Sequence, residues 1–138
     1  MTTKTPEARF SALVVKSLKG CYITRIESRV GLGTPDMLIG LANGRFVMVE
    51  LKAVTRGLQV KLSPHQIAFH LKHAAVGCPV FVLVQHKRDG ERHGLIKLYL
   101  GADADKLVAD GLRIKPIKEW ETNKMDWGEL GKTLEYWS

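Results

Sequence analysis

Hydrophobic residues recur along this chain with two different periods, and each change of period marks a new element. Phe10, Leu13, Val14 and Leu18 stand three and four apart, which predicts a helix. Thr5-Pro6-Glu7 supplies its start: a capping hydroxyl, a proline at the first helical position and an acid near the positive end of the helix dipole. Gly20 closes it. Tyr22, Ile23, Ile26 and Val30 predict a strand over residues 22–30, broken by Gly31-Leu32-Gly33. Residues 37–41 and 45–54 predict a hairpin around Asn43-Gly44, a favoured two-residue turn. Ser63-Pro64-His65-Gln66 then opens a second helix with a capping box, and Ile67, Leu71, Ala74 and Ala75 form its apolar side up to Gly77. Residues 79–85 are almost continuously apolar and predict a strand buried on both faces. Residues 95–100 alternate and predict the last strand, and residues 102–109 a short helix ended by Gly111. From Arg113 onward the pattern assigns no element. The order is α-β-β-β-α-β-β-α plus a C-terminal appendage. It predicts an α/β fold whose central mixed sheet is flanked by helices, with a helical crossover between the third and fourth strands.

Length and charge narrow this picture. The 138 residues suit a single domain, with a core over about residues 5–100 and a C-terminal extension over about 101–138. The net charge of +7 favours a polyanionic partner, nucleic acid first, and no basic tail carries the excess. No apolar run approaches the roughly 20 residues of a membrane span, and Met1-Thr2-Thr3-Lys4-Thr5-Pro6 has no signal-peptide core. The expectation is a cytoplasmic protein without a membrane partner. Cys21 and Cys78 make no disulfide framework and read as buried reduced thiols. Gly31-x-Gly33 is followed by Asp36 where a dinucleotide loop has its third glycine, and there is no Walker sequence, so no nucleotide cofactor is expected. His65, His70 and His73 lack a metal-ligand pattern and read as exposed polar residues of the crossover helix.

The departures from the apolar pattern carry the chemistry. Asp36, Glu50 and Lys52 interrupt hydrophobic strands, where charge is costly unless paired or bound to a metal. Residues two apart on a strand share a face, so Glu50 and Lys52 project together. The hairpin brings the entrance of one strand, at Asp36, beside the exit of the other, at Glu50. Two carboxylates at one place repel unless one takes a proton or a divalent cation neutralises both. Mg²⁺ suits such an oxygen set, to which the Leu51 carbonyl can add a ligand, and Lys52 would hold or deprotonate a water or offset developing negative charge. Arg25, Glu27 and Arg29 fall on one strand face by parity. Arg56 and Lys61 follow the Lys52 strand, and Lys87 and Arg88 sit at a later turn; these bases are candidates for phosphate contacts. Trp120, Trp127, Tyr136 and Trp137 read either as packing groups for the extension, on the core or on a second subunit, or as surfaces for unpaired bases.

Four ordered segments carry a family resemblance: Arg25-Ile26-Glu27-Ser28-Arg29, Gly33-Thr34-Pro35-Asp36, Val49-Glu50-Leu51-Lys52 and Leu62-Ser63-Pro64-His65-Gln66. Together, over about Glu7 to Gln85, they resemble the stand-alone virus-type replication-repair nuclease (VRR-NUC) domains of the PD-(D/E)xK superfamily. The resemblance implies a restriction-endonuclease-like core and a Mg²⁺- or Mn²⁺-dependent endonuclease acting on branched DNA such as Holliday junctions, in phage replication or recombination, as a homodimer. It maps Asp36 and Glu50 onto the metal-binding acids, with an accessory acid at Glu7, Lys52 onto the catalytic lysine, and Gln66 onto a polar residue at the start of the crossover helix. The alternatives are a flap or single-strand-end nuclease, a non-catalytic nucleic-acid-binding module, or an assembly protein docking through its Trp-containing tail.

Overall fold

The computed structural model describes residues 4–27 and 32–138. Helix α1 (Pro6–Ser17) begins where its cap dictates, Thr5 Oγ1 accepting the Ala8 N–H at 3.1 Å. It buries Phe10 and Val14. β1 (Tyr22–Arg25), β2 (Met37–Gly40) and β3 (Phe46–Val54) form an antiparallel meander. β1 is assigned only to Arg25; the far end of the expected strand, including Arg29 and Val30, lies outside the described residues.

The β2–β3 connection is a three-residue loop, not the expected two-residue turn. The Leu41 N–H donates to the Arg45 carbonyl at 2.8 Å and the Gly44 N–H to the Leu41 carbonyl at 2.9 Å, which encloses Ala42, Asn43 and Gly44. The two-residue type I′ turn needs positive φ at both central residues, and only Gly44 has it, at +84°. The Asn43 side chain accepts the Arg45 N–H at 3.0 Å instead of entering the left-handed region.

α2 (Pro64–Ala75) carries the chain over the sheet to β4 (Val80–His86), which runs parallel to its neighbour β3. β5 (Leu95–Leu100) returns antiparallel to it. Beyond α3 (Ala104–Asp110) the extension adds β6 (Lys118–Glu121) to the β5 edge and ends in α4 (Trp127–Trp137). The sheet runs in chain order from β1 to β6.

Alternation along β3 and β4 divides two apolar clusters. Val47, Val49, Leu51, Phe81 and Leu83 face Phe10 and Val14 of α1 and Leu130 and Leu134 of α4. Val54, Val82 and Val84 join Tyr99, Leu107 and, from α2, Ile67 on the opposite face. β4 is thus buried on both faces, as its sequence predicts. Trp120 is buried and Trp127 partly so against the first cluster, whereas Tyr136 remains 82% exposed. Two expectations fail. Cys78 is exposed and Cys21 only half-buried, because both sit in connections beside the ends of strands. His70 is fully buried: on a helix packed against a sheet, position outweighs polarity, and His70 shares the inward side with Ile67, one turn before it.

Candidate active site

The entrance of β2 and the middle of β3 meet where the register runs out. Met37 pairs with Val49, so the next step places Asp36 opposite Glu50. Asp36 is anchored on both sides: its carbonyl accepts the Ile26 N–H at 2.8 Å, and its Oδ2 accepts the Leu51 N–H at 2.8 Å. The N–H and carbonyl of one strand residue point the same way, so the Leu51 carbonyl also opens toward Asp36. Asp36 and Leu51 line a hollow of about 390 Å³ together with Glu7, Arg25 and Glu27.

Glu50 lies on the α2 side of the sheet and is 1% exposed. Gln66 Nε2 stands 3.3 and 3.4 Å from its two carboxyl oxygens. Burial, then the charge of Asp36 and a hydrogen bond shared with it, push the Glu50 carboxyl far above the ordinary carboxylate range; Lys52 opposes this and Glu7 adds to it. Without a cation, the pair therefore holds a proton. A divalent cation would relieve the same repulsion, and the donors fit one: two carboxylates and a carbonyl, all hard oxygens. Among the described residues no three His, Cys, Asp or Glu side chains converge, so such an ion would keep water in its remaining positions.

Lys52 shares the face of Glu50 and its side chain is 15% exposed. Its Nζ is 3.4 Å from Gln66 Oε1 and 3.9 Å from Glu7 Oε1. The half-exposed Glu7 is therefore placed beside the lysine and not in a cluster of three carboxylates. Gln66 makes two sets of contacts. Its Oε1 accepts the Ser63 N–H at 2.9 Å, completing the capping box, while its Nε2 faces Glu50. The two ends of an amide point apart, so the cap and the contact do not compete.

Among the other candidate residues, Arg56 and Lys61 line a hollow of about 350 Å³ with Lys52 and Glu7. Lys87 and Arg88 lie elsewhere, on the far side of α1. Arg29 falls outside the described residues. One residue of the site went unread. Gly33 has φ +85°, and a Cβ there would lie 2.2 Å from the His65 carbonyl oxygen and 2.8 Å from the Gln66 nitrogen. Only glycine lets the segment leading to Asp36 rest on the first turn of α2. A glycine three residues before a strand-entrance acid was the available signal.

No family model and no curated protein matches the chain. Among solved structures, it is similar to a VRR_NUC domain at 23% identity, over 77% of this chain and 97% of the other, with a TM-score of 0.50. It is also similar to the Holliday junction resolvase Hjc of Archaeoglobus fulgidus, an archaeal hyperthermophile, at 16% identity over 67% and 73%, with a TM-score of 0.48. The first likeness bears out the fold: a mixed sheet flanked by helices, in the arrangement of a VRR_NUC domain.

Proposed function

We propose that the protein is a divalent-metal-dependent, structure-selective DNA endonuclease that hydrolyses phosphodiester bonds in branched DNA during phage replication or recombination. The observation that carries this reading is Glu50, buried inside a strand opposite Asp36, with Lys52 on its own face and Gln66 against both. The VRR_NUC fold and the four ordered sequence segments support it.

Asp36, Glu50 and the Leu51 carbonyl would hold Mg²⁺ or Mn²⁺. When bound, the ion polarises a phosphoryl oxygen and eases attack by water. The chain's own groups do the rest. The Leu51 N–H fixes the Asp36 carboxylate. Gln66 Nε2 orients the Glu50 carboxyl, and Gln66 Oε1 holds Lys52 Nζ. Lys52, largely shielded from water, offers N–H donors to the attacking water or to the oxygen that gains charge. Glu7, next to Lys52, keeps the ammonium oriented. Arg25, Arg56, Lys61, Lys87 and Arg88, with Arg29, supply backbone contacts. A two-fold homodimer would give the paired nicks that resolution of a junction needs.

The test is a cleavage panel of labelled four-way junction, flap, duplex and single strand, with Mg²⁺ and with EDTA. Mg²⁺-dependent cutting of the branched substrates, lost in Lys52→Ala, is expected. Tight binding with no metal-dependent cutting of any substrate would instead identify a nucleic-acid-binding module. Preferential cutting of flaps or single-strand ends would identify an end nuclease.

A further inference from the structure

Helix α1 stands as a ridge between two hollows. Ala8, Ser11 and Ala12 face the one that holds Asp36. Arg9, on the other side of the helix, faces a separate hollow of about 320 Å³ shared with Thr55, Lys87 and Arg88. The wall of this second hollow is hydrogen-bonded backbone: the Lys87 N–H donates to the Val54 carbonyl at 3.1 Å and the Asp89 N–H to the Thr55 carbonyl at 3.3 Å. The connection after β4 is thereby held against the end of β3.

Positive charge is in excess in this hollow: Arg9, Lys87 and Arg88 against Asp89. The acid that lines it, Asp89, lies 3.9 Å from Arg56. Among the described residues Arg9, Lys87 and Arg88 have no ion-pair partner. Arg9 Nη1 donates to the Lys4 carbonyl at 2.7 Å, which leaves further guanidinium donors for a ligand. Shared residues link this hollow, step by step, to the one that holds Asp36. Thr55 lines both the Arg9 hollow and the hollow of Lys52, Arg56 and Lys61, and Glu7 joins that hollow to Asp36.

We propose that Arg9, Lys87 and Arg88 form a phosphate-binding subsite for the DNA backbone away from the bond that is cut, reached around the first turn of α1. The subsite rests on the nuclease reading and adds to it a second place where the sugar–phosphate chain is gripped. Contacts of this kind release counterions and set the salt dependence of binding without reading sequence.

The experiment uses the full chain carrying Lys52→Ala, so that substrate survives, and measures affinity for a labelled four-way junction across a salt series. Adding Arg9→Ala, Lys87→Ala and Arg88→Ala should reduce the slope of log affinity against log salt by about 0.9 for each phosphate no longer gripped. Should the triple variant fail to fold, Lys87→Ala and Arg88→Ala singly should each lower the slope by about 0.9. Lys106→Ala, Lys124→Ala and Lys132→Ala, which remove as much charge but line none of the three hollows, should leave the slope in place. An unchanged slope in the Arg9 triple, or an equal fall in the control triple, overturns the subsite. A parent that binds no DNA at any salt overturns the nuclease reading with it.

Discussion

α2 covers two buried titratable side chains, and the structure treats them oppositely. Under its first turn, Glu50 meets Gln66, Asp36 and Lys52 beside an open hollow. Under its middle, His70 is fully buried, and among the described residues neither ring nitrogen has a hydrogen-bond partner. Its Nδ1 would lie 2.7 Å from a Cβ placed on Gly101, so the ring packs as a flat apolar body onto bare backbone. Each unsatisfied buried polar group costs about 1–3 kcal/mol. Around Glu50 burial accompanies a gathering of opposed charges at an entrance, with Gln66 against the carboxyl; around His70 the cost accompanies nothing. Burial of a polar group alone therefore does not single out Glu50; the convergence of Asp36, Lys52 and Gln66 on it does.

The sharpest way to break this contrast is to neutralise each region. Glu50→Gln should lower metal-dependent cleavage by on the order of 10³-fold, the scale of removing one preorganised electrostatic group. In EDTA its melting temperature should match or exceed wild type, since an amide replaces a carboxyl that already holds a proton. Single-turnover rates and thermal melts of the same preparations measure both. Wild-type cleavage by Glu50→Gln would make Glu50 another His70.

Next in size is Gly33→Ala, which forces a side chain against the His65 carbonyl and strains a backbone at φ +85°. It should cost about 3 kcal/mol in urea unfolding and weaken metal binding, because Asp36 and Gln66 are pushed apart. Gly57→Ala is the control. Its φ is +62° with nothing within 4 Å of an added Cβ, so it should cost about 1 kcal/mol and leave metal affinity alone.

The two buried groups also predict opposite pH limbs. Burial, with the charge of His73, lowers the His70 pKa to about 4 from 6.5. Between those values the unfolded chain binds the extra proton, so stability is complete above pH 6.5 and falls as pH drops toward 4. The loss is on the order of 3 kcal/mol. His70→Leu should flatten that limb. Glu50 is shifted upward, so the metal-free protein holds the extra proton when folded. Its stability contribution is present below the ordinary carboxylate pKa and is lost as pH rises above it. Glu50→Gln should flatten that second limb. Urea midpoints in EDTA at acidic, neutral and alkaline pH separate the two, and a single variant flattening both limbs would defeat the assignment.

Much of the site was legible because its rules are local. Strand parity alone put Glu50 and Lys52 on one face, and the hairpin put Asp36 opposite Glu50 despite the extra loop residue at Ala42. What was not legible depended on partners. β6 has one apolar residue in Lys-Glu-Trp-Glu, and it is a strand because the free edge of β5 accepts it. α4 was readable but unread: Trp127, Leu130, Gly131 and Leu134 follow a helical spacing behind an Asp126 cap that accepts the Glu129 N–H at 2.9 Å. His70 sits at an inward position, but a polar side chain gives no sign that it will be buried without a partner. Gln66 looked divided between two roles because a sequence shows one residue, not the two ends of its amide.

That division supplies the smallest and most discriminating effect. Ser63→Ala removes the hydroxyl that accepts the Gln66 N–H at 3.1 Å but leaves the Gln66 side chain on Glu50 and Lys52. It should cost about 1 kcal/mol, the worth of a helix cap, and change the cleavage rate by less than about twofold. Gln66→Ala removes the other half of the cap and the site contacts together, so it should cost a similar amount of stability and, in addition, about tenfold or more in rate. If Ser63→Ala slows cleavage as much as Gln66→Ala does, the Glu50 region depends on the helix end as a rigid support, and the amide has no separate part in aligning the acid and the lysine.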